Sequence, residues 1–273
     1  MGASAKREKR VKMRKSDQKQ TGKMKKARSN PVLNSEGETD EAAQKLAKKK
    51  FTTHDLKSVQ PMNDTQASFI DAYFEGTPVI LTKGPAGTAK TFLSLYCALY
   101  DAFDDTLPEI DKVVVIRSAV EVRKQGWLPG EQSLKDAPYE VPYEFICNEL
   151  MPEYKNAYEH LKALGYLEFQ TTAYLRGITF HRSVVILDEI ENSDYDEIST
   201  VITRLGDFSR FIGCGDMRQN DLSRHREQSG IDKFERVASK MGEEYSNVIE
   251  YKLDDIVRSG VVKQFLIADY HNN

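Results

Sequence analysis

The stretch Pro78-Val-Ile-Leu-Thr82-Lys83-Gly84-Pro-Ala-Gly87-Thr-Ala-Lys90-Thr91-Phe92-Leu-Ser-Leu-Tyr96 decides the fold. Its first part is an unbroken apolar run, the pattern of a strand buried on both faces. A glycine-rich turn follows and opens at once into an apolar helix. In that context the backbone N–H groups of the turn and of the helix N-terminus converge on one point and favour an anion, so the segment reads as a phosphate cradle. Gly84, Pro85, Ala86, Gly87, Thr88, Ala89, Lys90 and Thr91 are its candidate nucleotide-binding residues. Lys90 is placed to meet the β and γ oxygens, and Thr91 to hold Mg²⁺. Ala89 stands where the strict pattern has its second glycine; at positive φ it costs about 1 kcal/mol relative to glycine.

An ordinary glycine-rich helix cap looks the same locally, so the assignment needs a second element. Val184-Val-Ile-Leu-Asp188-Glu189 supplies it: a buried strand ending in two acids, with a separation from Lys90 that suits a neighbouring sheet strand. Asp188 is the candidate Mg²⁺ partner and Glu189 the candidate general base for an attacking water. A third apolar run, Phe211-Ile-Gly213-Cys-Gly215-Asp216, breaks into a polar loop containing Arg218 and Gln219. Gln219 is a candidate contact for the γ-phosphate or the water. Gln66, upstream of the first strand, is a candidate reader of adenine through its carboxamide, although an exposed helical glutamine is common.

Outward from these motifs, further apolar runs at Lys112–Ile116, Leu167–Gln170 and Asn247–Tyr251 alternate with helical patterns at Thr91–Leu99, Tyr143–Leu164 and Asp194–Leu205. Alternation of this kind predicts an α/β fold, a mostly parallel sheet flanked by helices and joined by right-handed crossovers. Residues 1–30 carry twelve Lys and Arg against Glu8 and Asp17, a net of +10, which leaves −13 for the rest of a chain of net charge −3. A block with so little to bury is expected to be a disordered tail attractive to polyanions; service in host-protein contacts is the competing use. We divide the chain into residues 1–50, basic tail and linker, and 51–273, the folded domain. No apolar run approaches the roughly 20 residues that span a bilayer. The first residues lack the apolar segment of a secretory signal. Cys97, Cys147 and Cys214 are odd in number and lie in apolar surroundings, which reads as buried, reduced and cytoplasmic.

Taken together, the phosphate loop, Asp188-Glu189, Arg117-Ser-Ala-Val120-Glu121, Gly126-Trp-Leu-Pro129-Gly130, Pro142-Tyr143, Arg176-Gly177, Thr203-Arg204, Gly215-Asp216 and Asp255-Ile-Val-Arg258 resemble the PhoH-like family of P-loop ATPases. That family is related to the first RecA-like domain of superfamily 1 helicases. The resemblance covers about Gln60 to Tyr270 and is similar to compact versions carried by bacteriophages. It implies a RecA-like fold, ATP with Mg²⁺, action on nucleic acid with RNA ahead of DNA, and assembly of a homo-oligomeric ring, a hexamer, in which a neighbouring subunit donates an arginine. Arg258 is our first candidate for that arginine, before Arg204 and Arg218. Arg117 and Arg176 are candidates for phosphate-backbone contacts, with salt bridges to the domain's acids as the competing role. The sequence departs from the family pattern at Ala89, at Glu191 where Gln is usual, and at Ser118 where Pro is usual. These departures motivate an alternative to RNA-stimulated hydrolysis and helicase or translocase action: a nucleotide-gated RNA-binding protein with little or no turnover.

Overall fold

The computed structural model describes residues 50–106, 109–118, 132–175, 177–216 and 230–272. In chain order the elements are α1 (Asp64–Glu75), β1 (Val79–Lys83), α2 (Lys90–Ala102), β2 (Lys112–Arg117), α3 (Gln132–Leu150), α4 (Ala157–Ala163) and β3 (Leu167–Thr171). They continue with β4 (Ser183–Asp188), α5 (Tyr195–Ile202), β5 (Arg210–Gly215), α6 (Ile231–Ala238), β6 (Ser246–Glu250) and α7 (Gly260–Asn272). The six strands form one parallel sheet in the order β3-β2-β4-β5-β1-β6.

Side chains that alternate along each strand divide the core into two layers. Ile80, Val113, Val115, Val184, Ile186, Ile212 and Cys214 face one layer, where α1 to α4 pack through residues such as Phe69, Leu93, Tyr143 and Leu161. Val79, Leu81, Val114, Ile116, Val185, Leu187 and Phe211 face the other, covered by Ile198 and Val201 of α5 and Ile231 and Phe234 of α6. Crossover handedness explains the division. The chain steps one way along the sheet through α2 and then through α3 and α4, and the opposite way through α5 and α6, so right-handed crossovers put the two groups on opposite faces. The result is an α/β fold with a parallel sheet flanked by helices. Phe51 lies in the first layer, with ring contacts to Phe103, Tyr154 and Tyr166.

Two expectations are corrected. The helical pattern from Tyr143 to Leu164 is two helices: α3 stops at Leu150 and α4 starts after Asn156, at φ 56°. Pro152 has no N–H to continue α3 and disfavours helical backbone at Met151. The strand bearing Asp188 is also not the neighbour of β1. β5 lies between them, with Cys214 in register with Asp188 on one side and Thr82 on the other. The basic tail falls outside the described residues.

Candidate functional site

The loop after β1 is pinned from three directions. Gly84 adopts φ 138° and donates its N–H to the Gly215 carbonyl at 3.1 Å. A Cβ there would lie 2.3 Å from the Tyr251 carbonyl oxygen, so only glycine fits between β1 and the chain leaving β6. The Ala86 N–H donates to Asp216 Oδ2 at 3.0 Å, and the Val257 N–H donates to the Gly87 carbonyl at 2.9 Å. The Thr88 hydroxyl donates to the Pro85 carbonyl. Lys90, the first residue of α2, curls back: its Nζ donates to the carbonyls of Gly84 at 2.8 Å and Pro85 at 2.9 Å and to Thr88 Oγ1 at 3.3 Å. Burial lowers the Lys90 pKa, opposed chiefly by the charge of Asp216. Ala89 caps α2 in the left-handed region, φ 68° and ψ 25°.

The acids at the end of β4 meet this loop. Thr91 Oγ1 donates to Asp188 Oδ1 at 2.7 Å, and the Tyr143 hydroxyl donates to Asp188 Oδ2 at 2.8 Å. Asp188 is only 7% exposed, and burial followed by the charge of Glu189 raises its pKa. Glu189 takes φ 51°, a strained left-handed turn that carries the chain off the strand into a short 3-10 turn, Ile190–Asn192. Its Oε1 lies 3.3 Å from Arg117 Nη2 at the end of β2. Glu191 is fully buried, with Oε2 accepting the Asp216 N–H at 3.0 Å. Burial first, then the hydrogen bond to and charge of Glu189, hold its carboxyl well above the carboxylate range.

The donor set fits a hard divalent cation. Thr91 and Asp188 offer one hydroxyl and one carboxylate side by side, and no group of three or more His, Cys, Asp or Glu able to hold a metal ion occurs among the described residues. With only these two protein donors, an ion held here would need further oxygen ligands from bound substrate and water, a donor set that suits Mg²⁺.

A family model described as PhoH-like protein matches residues 58–270. The chain belongs to the PhoH-like family. It is similar to a PhoH-like protein of Synechocystis, 34% identical over 193 residues, covering 68% of this chain and 54% of the relative. A PhoH-like protein of Mycobacterium leprae is 29% identical over 221 residues, 78% of this chain and 58% of the relative. Protein PhoH of Escherichia coli K12 is 29% identical over 218 residues, 79% of this chain and 59% of the relative. The chain therefore spans somewhat more than half the length of these curated relatives.

Within this PhoH-like domain, the structure brings together Gly84 to Thr91, Asp188 and Glu189, and gives three members of the other quoted motifs a partner there: Tyr143 on Asp188, Arg117 on Glu189, and Asp216 on Ala86. Arg117, offered to nucleic acid on the sequence reading, makes the salt bridge that was the competing role. Gln66 is 2% exposed rather than a surface residue. Its Nε2 donates to the Thr88 carbonyl and its Oε1 accepts from the Met62 N–H, so both ends of the carboxamide are tied to backbone. Arg258 is exposed, with its stem against its own chain's loop: a Cβ on Gly87 would lie 2.9 Å from Arg258 Cγ. Its stem therefore lies beside the loop of its own subunit, while the residue as a whole stays exposed. Arg204 lies at the opposite, N-terminal end of β4, donating from Nη1 to the Ile178 carbonyl at 3.1 Å. Gln219, Arg218, Arg176 and Gly126–Gly130 lie outside the described residues. Among the described residues no helix is long and apolar enough to cross a membrane.

Proposed function

We propose that the chain binds ATP with Mg²⁺ and hydrolyses it while acting on nucleic acid, RNA before DNA, as a cytoplasmic ring of identical subunits. The observation that carries this reading is the 2.7 Å hydrogen bond from Thr91 to Asp188, because it joins the phosphate loop to the acids across the intervening strand. Loop N–H groups and the N-terminus of α2 cradle the phosphates. Thr91 and Asp188 would hold the metal, which would supply positive charge against the negative charge of the phosphates. Lys90, already inside the loop, adds a second positive charge there, and Glu189 orients the attacking water. Gln219, and Arg258 donated by a neighbouring subunit, are the proposed contacts on the γ-phosphate side of the site. RNA as the polymer, the hexameric ring and helicase or translocase action rest on the family resemblance, with the +10 tail as an electrostatic attraction.

The ion pair of Glu189 with Arg117 favours a second reading, a nucleotide-gated RNA-binding protein whose base is held back and turns over slowly. Phosphate release measured on full-length protein, alone and with single- and double-stranded RNA and DNA, separates the two. Stimulated release that falls at least about 100-fold in Lys90→Ala and Glu189→Gln supports the enzyme. Negligible release with nucleotide-dependent RNA affinity supports the gated binder. Release that is unchanged in both variants removes the catalytic assignment.

A further inference from the structure

Asp188 has two carboxylate oxygens, and each already has a defined partner. Oδ1 takes the hydroxyl of Thr91, from the helix that starts at the phosphate loop; Oδ2 takes the hydroxyl of Tyr143, from the middle of α3. A terminal carboxylate turns easily about its last bond, so one hydrogen bond leaves its plane loosely set and a second on the other oxygen fixes it. Tyr143 is built for that task. It is fully buried, and its ring packs against Phe169 at 5.8 Å, so its hydroxyl cannot swing to solvent. One turn earlier on the same helix Tyr139 lies beside Arg117, the partner of Glu189, so α3 also reaches the second acid.

We propose that Tyr143 is a positioning residue that sets the plane of Asp188 toward the metal ion, an inference resting on the reading of this site as one for a Mg²⁺-nucleotide. A group that orients a metal-holding carboxylate typically contributes about 10–100-fold in metal affinity. The test is Tyr143→Phe in the full chain, which removes one oxygen and keeps the ring packing. Tyr73→Phe is the control, since it deletes another buried tyrosine hydroxyl, one that donates to Asp101 Oδ2 at 3.1 Å. The readouts are thermal midpoint and the binding of a fluorescent, non-hydrolysable ATP analogue across a Mg²⁺ titration and in excess EDTA. The expected result is a rise of about tenfold in the Mg²⁺ concentration for half-maximal binding in Tyr143→Phe, with wild-type affinity in EDTA and wild-type Mg²⁺ response in Tyr73→Phe. A wild-type Mg²⁺ response in Tyr143→Phe overturns the proposal, as does an equal loss of binding with and without Mg²⁺. Should the unaltered protein bind the analogue with no Mg²⁺ dependence, the reading of the site fails and the proposal falls with it.

Discussion

Replacing Glu191 with Gln should stabilise the protein, and by more as the pH rises. Glu191 is fully buried, and burial together with Glu189 pushes its pKa from the ordinary 4.5 up to about 10. Below the ordinary value the carboxyl is protonated in both the folded and the unfolded chain and contributes no pH dependence. Above it the unfolded chain releases the proton while the folded chain retains it, so stability falls by about 1.4 kcal/mol for each pH unit until the folded value is reached. At pH 7 this amounts to a penalty of about 3 kcal/mol. Glutamine removes the penalty because it never ionises, and its amide oxygen accepts the Asp216 N–H as Glu191 Oε2 does. Desolvating the amide offsets part of the gain, leaving about 1–2 kcal/mol at pH 7. For a domain of this size that is a rise of about 4 °C in Tm. Melts of both proteins at pH 5.5, 7 and 8.5 should show the gap widening with pH. A gap that stays constant, or that closes toward high pH, would refute a neutral Glu191 in the folded state.

Two substitutions in the loop separate backbone strain from ligand binding. Gly84→Ala places a methyl group 2.3 Å from a backbone oxygen at φ 138°, and should cost at least about 3 kcal/mol, seen as a Tm lowered by several degrees; an unchanged melt would show that the loop relaxes. Ala89→Gly relieves a left-handed alanine but gains unfolded-state freedom and loses a partly buried methyl, so stability should move by no more than about 1 kcal/mol. Ala89 already holds this conformation in the folded loop, so the strain belongs to folding and not to binding. Nucleotide affinity by titration should therefore stay within about threefold, and a tenfold tightening would contradict this.

The strands were legible because fully buried parallel strands are written as continuous apolar runs. All six expected runs appear within one or two residues of the strand ends, and the phosphate loop announces itself by glycines and a lysine at fixed spacing. The order of the strands was not legible. Asp188 follows Lys90 by a distance that fits a neighbour or a strand further away, and only packing shows that β5 intervenes. Side-chain partners were hidden for the same reason. Gln66 reads in sequence as an adenine reader or an exposed helical glutamine, and only the fold shows it buried, with one bond to the Thr88 carbonyl and one from the Met62 N–H.

Arg258 shows where motif order stops being informative. An arginine far down the chain from the phosphate loop has no sequence mark that says whose loop it serves, and the resemblance pointed to a neighbour's. The parallel pairing of β6 with β1 fixes where that residue starts. It returns the chain to the tip of the first strand, where the Tyr251 N–H meets the Lys83 carbonyl and the Val257 N–H meets the Gly87 carbonyl. With that backbone bond in place the stem of the next residue, Arg258, lies against its own loop, and the long side chain leaves from there into an exposed position.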